Sequence, residues 1–538
     1  MIRALVLTAV LASLPAAARP PRLTLLITVD ALGSDVLLRN RPRLQGGLGQ
    51  LLDSGAYFPY ARYGYAKCRT APGHTTLATG ANPWRHGIVD NRWWDRASGK
   101  RVYSFVDPAH PVLEAASKPG QDASPVNLMA ETLADRLRMA TQQRGKAVSM
   151  SLKSRSAIAM AGRLGQAWWF DEDSGKFVTG TWYAKEFPQW LQQFNARKLP
   201  DRSFGKTWEL SRPRAEYVGE DDLPHEADSY GLGRVFPHPL TGGLKAPGTD
   251  FYKAFGVSPD SHEFLVEAAK AAIAGEGLGK DAVPDLLMVS FSGTDNVFHE
   301  YGPYSWEMQD TVLRLDKALG ELISAAERAA GGRANLSIAL VADHGGAAAP
   351  EEWSAAGLPA QRMHPKAISE GITAMVKERF GPDVTVAMEE LDVYLGGPAL
   401  TSGKVDGAQV RRAVVDWLKK QPIVVAAVTR EELFSAPDPA GHLATLRKGY
   451  YPERSGDVLY MLAPFQVVYY DAQGSTHGSP YSYDSQVPVV FAGKGVKPGT
   501  YMTELDPVDV APTLAALMEM GMPASTEGKP RAEILTGK

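Results

Sequence analysis

Several apolar, β-branched runs punctuate the chain, and each stops abruptly in polar residues. They are LTLLITVD (Leu23 to Asp30), AVSMSLKSR (Ala147 to Arg155), DLLMVSFSGTD (Asp285 to Asp295), LSIALVADHGG (Leu336 to Gly346) and VPVVFAG (Val487 to Gly493). Runs without polar alternation read as strands buried on both faces, the condition of a mostly parallel sheet. Between them, apolar positions recur at helical spacing in VNLMAETLADRLRMATQQ, HEFLVEAAKAAIA, WEMQDTVLRLDKALGELISAAERAA and DPVDVAPTLAALMEM. The alternation predicts an α/β fold, a mostly parallel central sheet sandwiched by helices. Ligands of such sheets gather beyond the carboxyl ends of the strands, which is where the polar residues fall.

Two stretches break the rhythm. Residues from about 160 to 255 are rich in Trp, Tyr, Pro, Gly and charge, as in WWFDEDSGKFVTGTWYAKEFPQW, and predict irregular elaboration over one face. Residues from about 350 to 455 hold two helical patterns, MHPKAISEGITAMVKERF and GAQVRRAVVDWLKKQ, and predict a small α+β insertion. Both are expected to return to a single core, so residues 19–538 read as one domain with two insertions.

The first residues, MIRALVLTAVLASLPAAARPPRL, have the layout of a cleaved leader. Arg3 is a short basic region, Ala4 to Leu14 an apolar run, and Ala16-Ala17-Ala18 a small-residue cleavage site, so residues 1–18 predict a signal peptide. The apolar run is too short to span a bilayer, so a stable membrane anchor is not expected. The expected location is periplasmic or extracellular, in a bacterium. With 538 residues the chain can bury a large core, and its formal net charge of -3 gives no reason to expect nucleic acid as an obligate partner. A single cysteine, Cys68, excludes an intrachain disulfide.

Four of these strand ends and loops carry metal-ligand residue types. Asp30 closes the first strand. Asp295 and His299, in GTDNVFHEYG, are spaced to share one face of a helical turn. Asp343 and His344, in VADHGG, sit where a strand opens into a glycine turn, and His477 lies in the loop GSTHGSP before the last strand. Each alone has a bland reading as a turn, cap or surface residue. Together, three aspartates and three histidines offer oxygen and nitrogen donors suited to Zn²⁺, and to two ions bridged by substrate oxygens. The other histidines, His74 and His86 among them, read as structural or surface groups.

The stretch KCRTAPGHTTLATG places Cys68 two residues before Thr70 at a predicted helix start. A reactive thiol would suggest a cysteine hydrolase, or a sulfatase whose cysteine becomes an aldehyde. A reactive hydroxyl at a helix N-terminus would suggest transfer of an anionic group, activated by a bound metal. Thr70 is also compatible with a plain N-cap.

Thr70 within RTAPGH, then TGANPWRHGIVDN ending in Asn91, together with Asp30, Asp295, His299, Asp343, His344 and His477, resembles the alkaline phosphatase superfamily. The likeness is to its nucleotide pyrophosphatase/phosphodiesterase-like branch, and within it to the threonine-nucleophile alkaline phosphatases. The motifs run in the family's order from Asp30 to His477. The resemblance implies that Asp295, His299 and His477 hold one zinc, and that Asp30, Asp343 and His344 hold a second with the Thr70 oxygen. It implies that Thr70 is the nucleophile, passing through a phospho-threonine, and that Asn91 with the Thr70 N–H binds a phosphoryl oxygen. Cys68 is then a bystander. The sulfatase motif wants Pro two residues after the cysteine and Arg four after; here Thr70 and Pro72 stand there, so that reading fails.

The superfamily serves monoesters and diesters alike, and a monoester dianion demands extra cationic donors. In LKSRS, Lys153 and Arg155 are two apart on a predicted extended segment and so share a face. The pair resembles the K-x-R pair with which monoesterases of this branch grip phosphate. Lys153 is expected to fill the space of a third metal, leaving two zincs and no Mg²⁺ site. The expected substrates are therefore small phosphate monoesters. The alternatives are a nucleotide or lipid phosphodiesterase, with Trp93-Trp94 and the aromatic insertion stacking a leaving group, and a non-catalytic zinc-binding protein.

Overall fold

The run Leu23–Val29 is buried along its whole length because it is paired on both edges, to Asp285–Phe291 and to Leu336–Val341. The computed structural model describes residues 19–114, 121–435 and 440–536; the predicted leader, residues 1–18, lies outside them. This strand sits at the middle of a nine-stranded sheet. In spatial order the strands are Gly499–Thr500, Ala56–Arg62, Gln486–Gly493, Leu336–Val341, Leu23–Val29, Asp285–Phe291, Ala147–Ser151, Gln166–Asp171 and Lys176–Val178. From Leu336–Val341 to Gln166–Asp171 every pairing is parallel. The expected α/β sheet is therefore present, flanked by helices.

Two strands depart from the parallel expectation, one of them the edge strand Lys176–Val178, antiparallel to Gln166–Asp171. The other, Gln486–Gly493, runs antiparallel to both neighbours. The chain enters it from the His477 loop, already at the carboxyl end of the sheet, so it has to run back down. It is also not the last strand, since the short Gly499–Thr500 edge follows it.

Register does the work of assembly. Leu23 pairs with both Asp285 and Leu336, so Val29 is level with Phe291 and Thr28 with Val341. Asp30 thus emerges beside the Ser292–Asp295 turn on one side and beside Asp343 on the other. Its backbone N–H still donates to Phe291 O at 3.0 Å. Parallel pairing brings three segments far apart in sequence to one edge.

The 25-residue helix Trp306–Ala330 packs its apolar stripe against Asp260–Glu276 and Gly47–Ser54. The helix Thr70–Thr79 packs on Ser154–Ala161, which follows the Ala147–Ser151 strand. The first part of the stretch from about 160 joins the sheet, supplying the Gln166–Asp171 and Lys176–Val178 strands; short helical turns and loops make up much of the rest. A second unit has its own core of Ile372, Val376, Val393, Val410, Val414 and Leu418. It joins helices Pro365–Phe380 and Gly407–Leu418 to an antiparallel sheet ordered Thr385–Glu389, Asp392–Gly396, Val458–Leu462 and Val424–Thr429.

Candidate active site

The six expected ligand residues converge in two groups at the carboxyl edge of the sheet: Asp295, His299 and His477, and Asp30, Asp343 and His344. In each group one ligand atom from every residue lies within 4.8 Å of the others. The two groups adjoin, since the His344 and His477 rings stack with centroids 3.6 Å apart and planes 13° apart.

The imidazoles are all oriented the same way. His299 Nδ1 lies 2.8 Å from Ser475 O, His344 Nδ1 2.8 Å from Gly345 O, and His477 Nδ1 2.8 Å from Cys68 O. A carbonyl only accepts, so each Nδ1 carries the hydrogen and each Nε2 of the neutral ring offers a lone pair. Those Nε2 atoms face carboxylates: His344 Nε2 lies 3.3 Å from Asp30 Oδ1 and Asp343 Oδ2, and His477 Nε2 lies 3.7 Å from Asp295 Oδ1. Asp30 Oδ1 and Asp295 Oδ1 are buried without a hydrogen-bond partner. Lone pairs aimed at lone pairs in a buried site call for a proton or a cation between them. The donor set of carboxylate oxygens and imidazole nitrogens, braced by backbone carbonyls, fits Zn²⁺.

The protein charges reflect the same crowding. Burial and the neighbouring Asp295 push Asp30 up, but Lys153 and His344 outweigh them and hold it at about 2. Burial likewise opposes ionisation of Asp295, yet His299, Lys153 and His477 hold it well below the usual carboxylate range. Burial would lower His344, but Asp343 and Asp30 raise it to about 9. His477 goes the other way, driven down by burial and by His344.

Thr70 is the first residue of its helix, with Arg69 as the extended N-cap. Its hydroxyl therefore does not cap; Oγ1 lies 3.5 Å from His344 Nε2. Asn91 accepts from Ala71 N–H through Oδ1 at 2.8 Å, which orients its Nδ2 donor away from that contact. Cys68 is wholly buried, burial pushes its thiol well above the ordinary value, and its carbonyl holds His477.

Lys153 and Arg155 are not on an extended segment, as the apolar run AVSMSL suggested. The strand stops at Ser151, Lys153 is the N-cap of Ser154–Ala161, and Arg155 lies in its first turn. Ser151 Oγ accepts from Lys153 N–H at 3.1 Å, turning the chain before the alternation of a strand can apply. The pair still lines one cavity of about 460 Å³, together with Asp122, Trp169 and Glu172. Lys153 Nζ donates to Asp30 Oδ2 at 2.7 Å and also to Asp295 Oδ2, spanning the two groups. Arg155 Nε is buried without a partner.

Sequence reasoning missed several supports. His74, read as structural or surface, has Nδ1 2.9 Å from Thr70 O and 3.0 Å from Asp343 Oδ2, and Nε2 2.7 Å from Ser290 Oγ. Its spacing of four from Thr70 on one helix was the available signal. The residues flanking Thr70 and Asn91 are gripped by one hairpin turn of the smaller unit. Lys67 pairs with Asp392 at 2.7 Å and Asp90 at 3.5 Å, Arg69 with Glu390 at 2.7 Å, and Arg92 with Glu389. Trp93, which the phosphodiesterase alternative would use for stacking, is buried in the core with Arg454 over its ring at 4.9 Å.

Comparison with known proteins agrees with this geometry. Residues 24–480 match the family model described as Type I phosphodiesterase / nucleotide pyrophosphatase. The chain is 32% identical to alkaline phosphatase PafA of Elizabethkingia meningoseptica over 96% of its own length and 94% of the relative's. It is also 32% identical to alkaline phosphatase PhoV of Synechococcus elongatus, over 96% and 93%. The crystal structure of wild-type PafA superposes with a TM-score of 0.88 at 31% identity, covering 96% of this chain and 100% of that one. The chain belongs to the Type I phosphodiesterase / nucleotide pyrophosphatase family, in the branch of these alkaline phosphatases, and is a phosphoric monoester hydrolase.

Proposed function

We propose that this enzyme hydrolyses small phosphate monoesters at a two-zinc site through a phosphorylated Thr70, and that it is exported by its leader. Asp295, His299 and His477 would hold one Zn²⁺, and Asp30, Asp343 and His344 the other with Thr70. When bound, the ions would act as Lewis acids that polarise the phosphoryl oxygens and acidify the Thr70 hydroxyl.

The remaining work falls to side chains of the chain. Thr70 Oγ1 forms a bond to phosphorus as the ester P–O bond breaks and the alcohol departs. Water then attacks the phospho-threonine, freeing Thr70 and releasing inorganic phosphate. The Asn91 side-chain amide and the Thr70 backbone N–H bind a phosphoryl oxygen. Lys153 and Arg155 neutralise the additional charge of a monoester dianion. The observation that carries this reading is Thr70 Oγ1 at a helix start, 3.5 Å from His344 Nε2 and facing buried donor atoms that lack partners.

The experiment is metal analysis combined with a panel of monoesters and diesters. The expected result is about two Zn²⁺ per chain, loss of turnover on chelation, recovery with zinc, and faster monoester than diester hydrolysis. Full activity after exhaustive chelation would overturn the zinc mechanism. Faster diester turnover would favour the phosphodiesterase alternative.

A further inference from the structure

A cavity of about 230 Å³ opens between the His477 loop and the smaller α+β unit. Thr476, His477 and Gly478 form one wall, and Met388, Glu390 and Leu391 of the gripping hairpin form another. Leu462, Val468 and Tyr470 supply much of the remaining apolar lining. Among the charged groups on the walls, Arg69 is paired with Glu390 and Arg101 with Glu389.

The cavity's place follows from the direction of attack. Thr70 Oγ1 lies against His344, on the Asp30, Asp343 and His344 side of the site. In phosphoryl transfer the attacking and leaving oxygens lie roughly in line, on opposite sides of phosphorus. The leaving oxygen therefore points toward the Asp295, His299 and His477 side. His477 belongs to that group and also lines the cavity. A second cavity lies behind Lys153 and Arg155 and carries Asp122, Asp171 and Glu172, an acidic setting for the phosphoryl-facing cations rather than for the alcohol.

We propose that the His477-side cavity is a leaving-group subsite, and that it selects an apolar, ring-sized alcohol, such as a phenol, over a small polar one. The inference rests on the phosphomonoesterase reading above. Burying a ring against Leu391, Val468 and Tyr470 removes apolar surface from water; Arg69 and Arg101 are paired with glutamates, and exposed Lys366 also lines the cavity. The smaller unit then has a direct part in substrate choice, since its hairpin and the Pro365–Phe380 helix close the cavity.

The test compares phenyl phosphate with ethyl phosphate on the zinc-loaded enzyme and on Val468→Trp and Leu391→Asp variants. The first variant fills the cavity and the second makes its wall charged. Each should lower the phenyl-to-ethyl ratio of kcat/KM by about tenfold or more, the scale of discrimination available to a hydrophobic pocket. A second readout is binding: in saturation-transfer NMR the ring protons of phenylphosphonate should receive saturation from Thr70→Ala protein and lose it with Val468→Trp. If wild-type enzyme hydrolyses both esters but the ratio and the saturation do not move, the subsite is wrong. If wild-type enzyme hydrolyses neither ester, the phosphomonoesterase reading itself has failed.

Discussion

Lys67, three residues ahead of Thr70, and Asp392, in the smaller unit, form a buried ion pair at 2.7 Å. Asp90, next to Asn91, completes the cluster at 3.5 Å from the same ammonium. Removing one member leaves uncompensated buried charge, which typically costs about 3–5 kcal/mol. Asp392→Ala should therefore shift the denaturant midpoint by an amount of that order and lower kcat, because Thr70 and Asn91 lose a shared brace. Replacing Lys67 and Asp392 together by apolar residues should cost less than adding the single effects. Additive losses would show that Lys67 and Asp392 do not act as a unit.

The carbonyl of Cys68, not its thiol, touches the site. Cys68→Ser should leave turnover within a few-fold, since the backbone contact to His477 survives. Thr70→Ser keeps a hydroxyl and should retain substantial activity, whereas Thr70→Ala should lose several orders of magnitude. Steady-state kinetics at fixed zinc content checks all three, and a dead Cys68→Ser enzyme would reverse the assignment.

Lys153 and Arg155 bear on substrate class. A charge-assisted hydrogen bond to a buried oxyanion is worth about 2–4 kcal/mol in the transition state, or about 30- to 1,000-fold in rate. Lys153→Ala and Arg155→Ala should each lower kcat/KM by that factor for an aryl monoester and by much less for a matched aryl diester. The double variant need not be additive, because in the proposed mechanism both groups would serve one phosphoryl group. Equal losses on the two substrates would assign the pair to general anion attraction.

Glu226 predicts a pH dependence of stability. Burial, then the nearby Glu307, raise its carboxyl from 4.5 to about 9. Between those values the folded state keeps a proton that the unfolded chain has released. Its stabilising contribution therefore falls as pH rises, by about 1.4 kcal/mol per pH unit, and is gone above the folded value. The consequence reaches the site, since the adjoining Ala227 N–H donates to Glu300 O and Gly474 N–H to His225 O. Glu226→Gln carries no such proton, so its urea midpoint should decline less between neutral pH and pH about 9. Parallel declines would contradict the assignment.

The strand-end candidate ligands were legible because parallel packing converts a polar residue after an apolar run into a residue at one edge. Asp30, Asp295 and Asp343 needed only that rule. The start of the helix Thr70–Thr79 was legible within KCRTAPGHTTLATG, although Thr70 proved to be its first residue rather than its cap. Lys153 and Arg155 were placed in the right neighbourhood on the wrong backbone, since an apolar run does not announce where Ser151 turns it into a helix. The brace between Lys67 and Asp392 joins residues 325 apart, and neither has a local pattern that names the other. His74 shows the middle case: its spacing was visible, but its second partner, Asp343, comes from another strand end.

In the proposed mechanism the phosphoryl group passes through Thr70. The most direct measurement is the stereochemical course at phosphorus, using an aryl monoester made chiral by oxygen isotopes and an added alcohol as phosphoryl acceptor. Attack by Thr70 followed by attack of the acceptor inverts phosphorus twice, so net retention of configuration is expected. Net inversion would mean a single direct displacement and would contradict it.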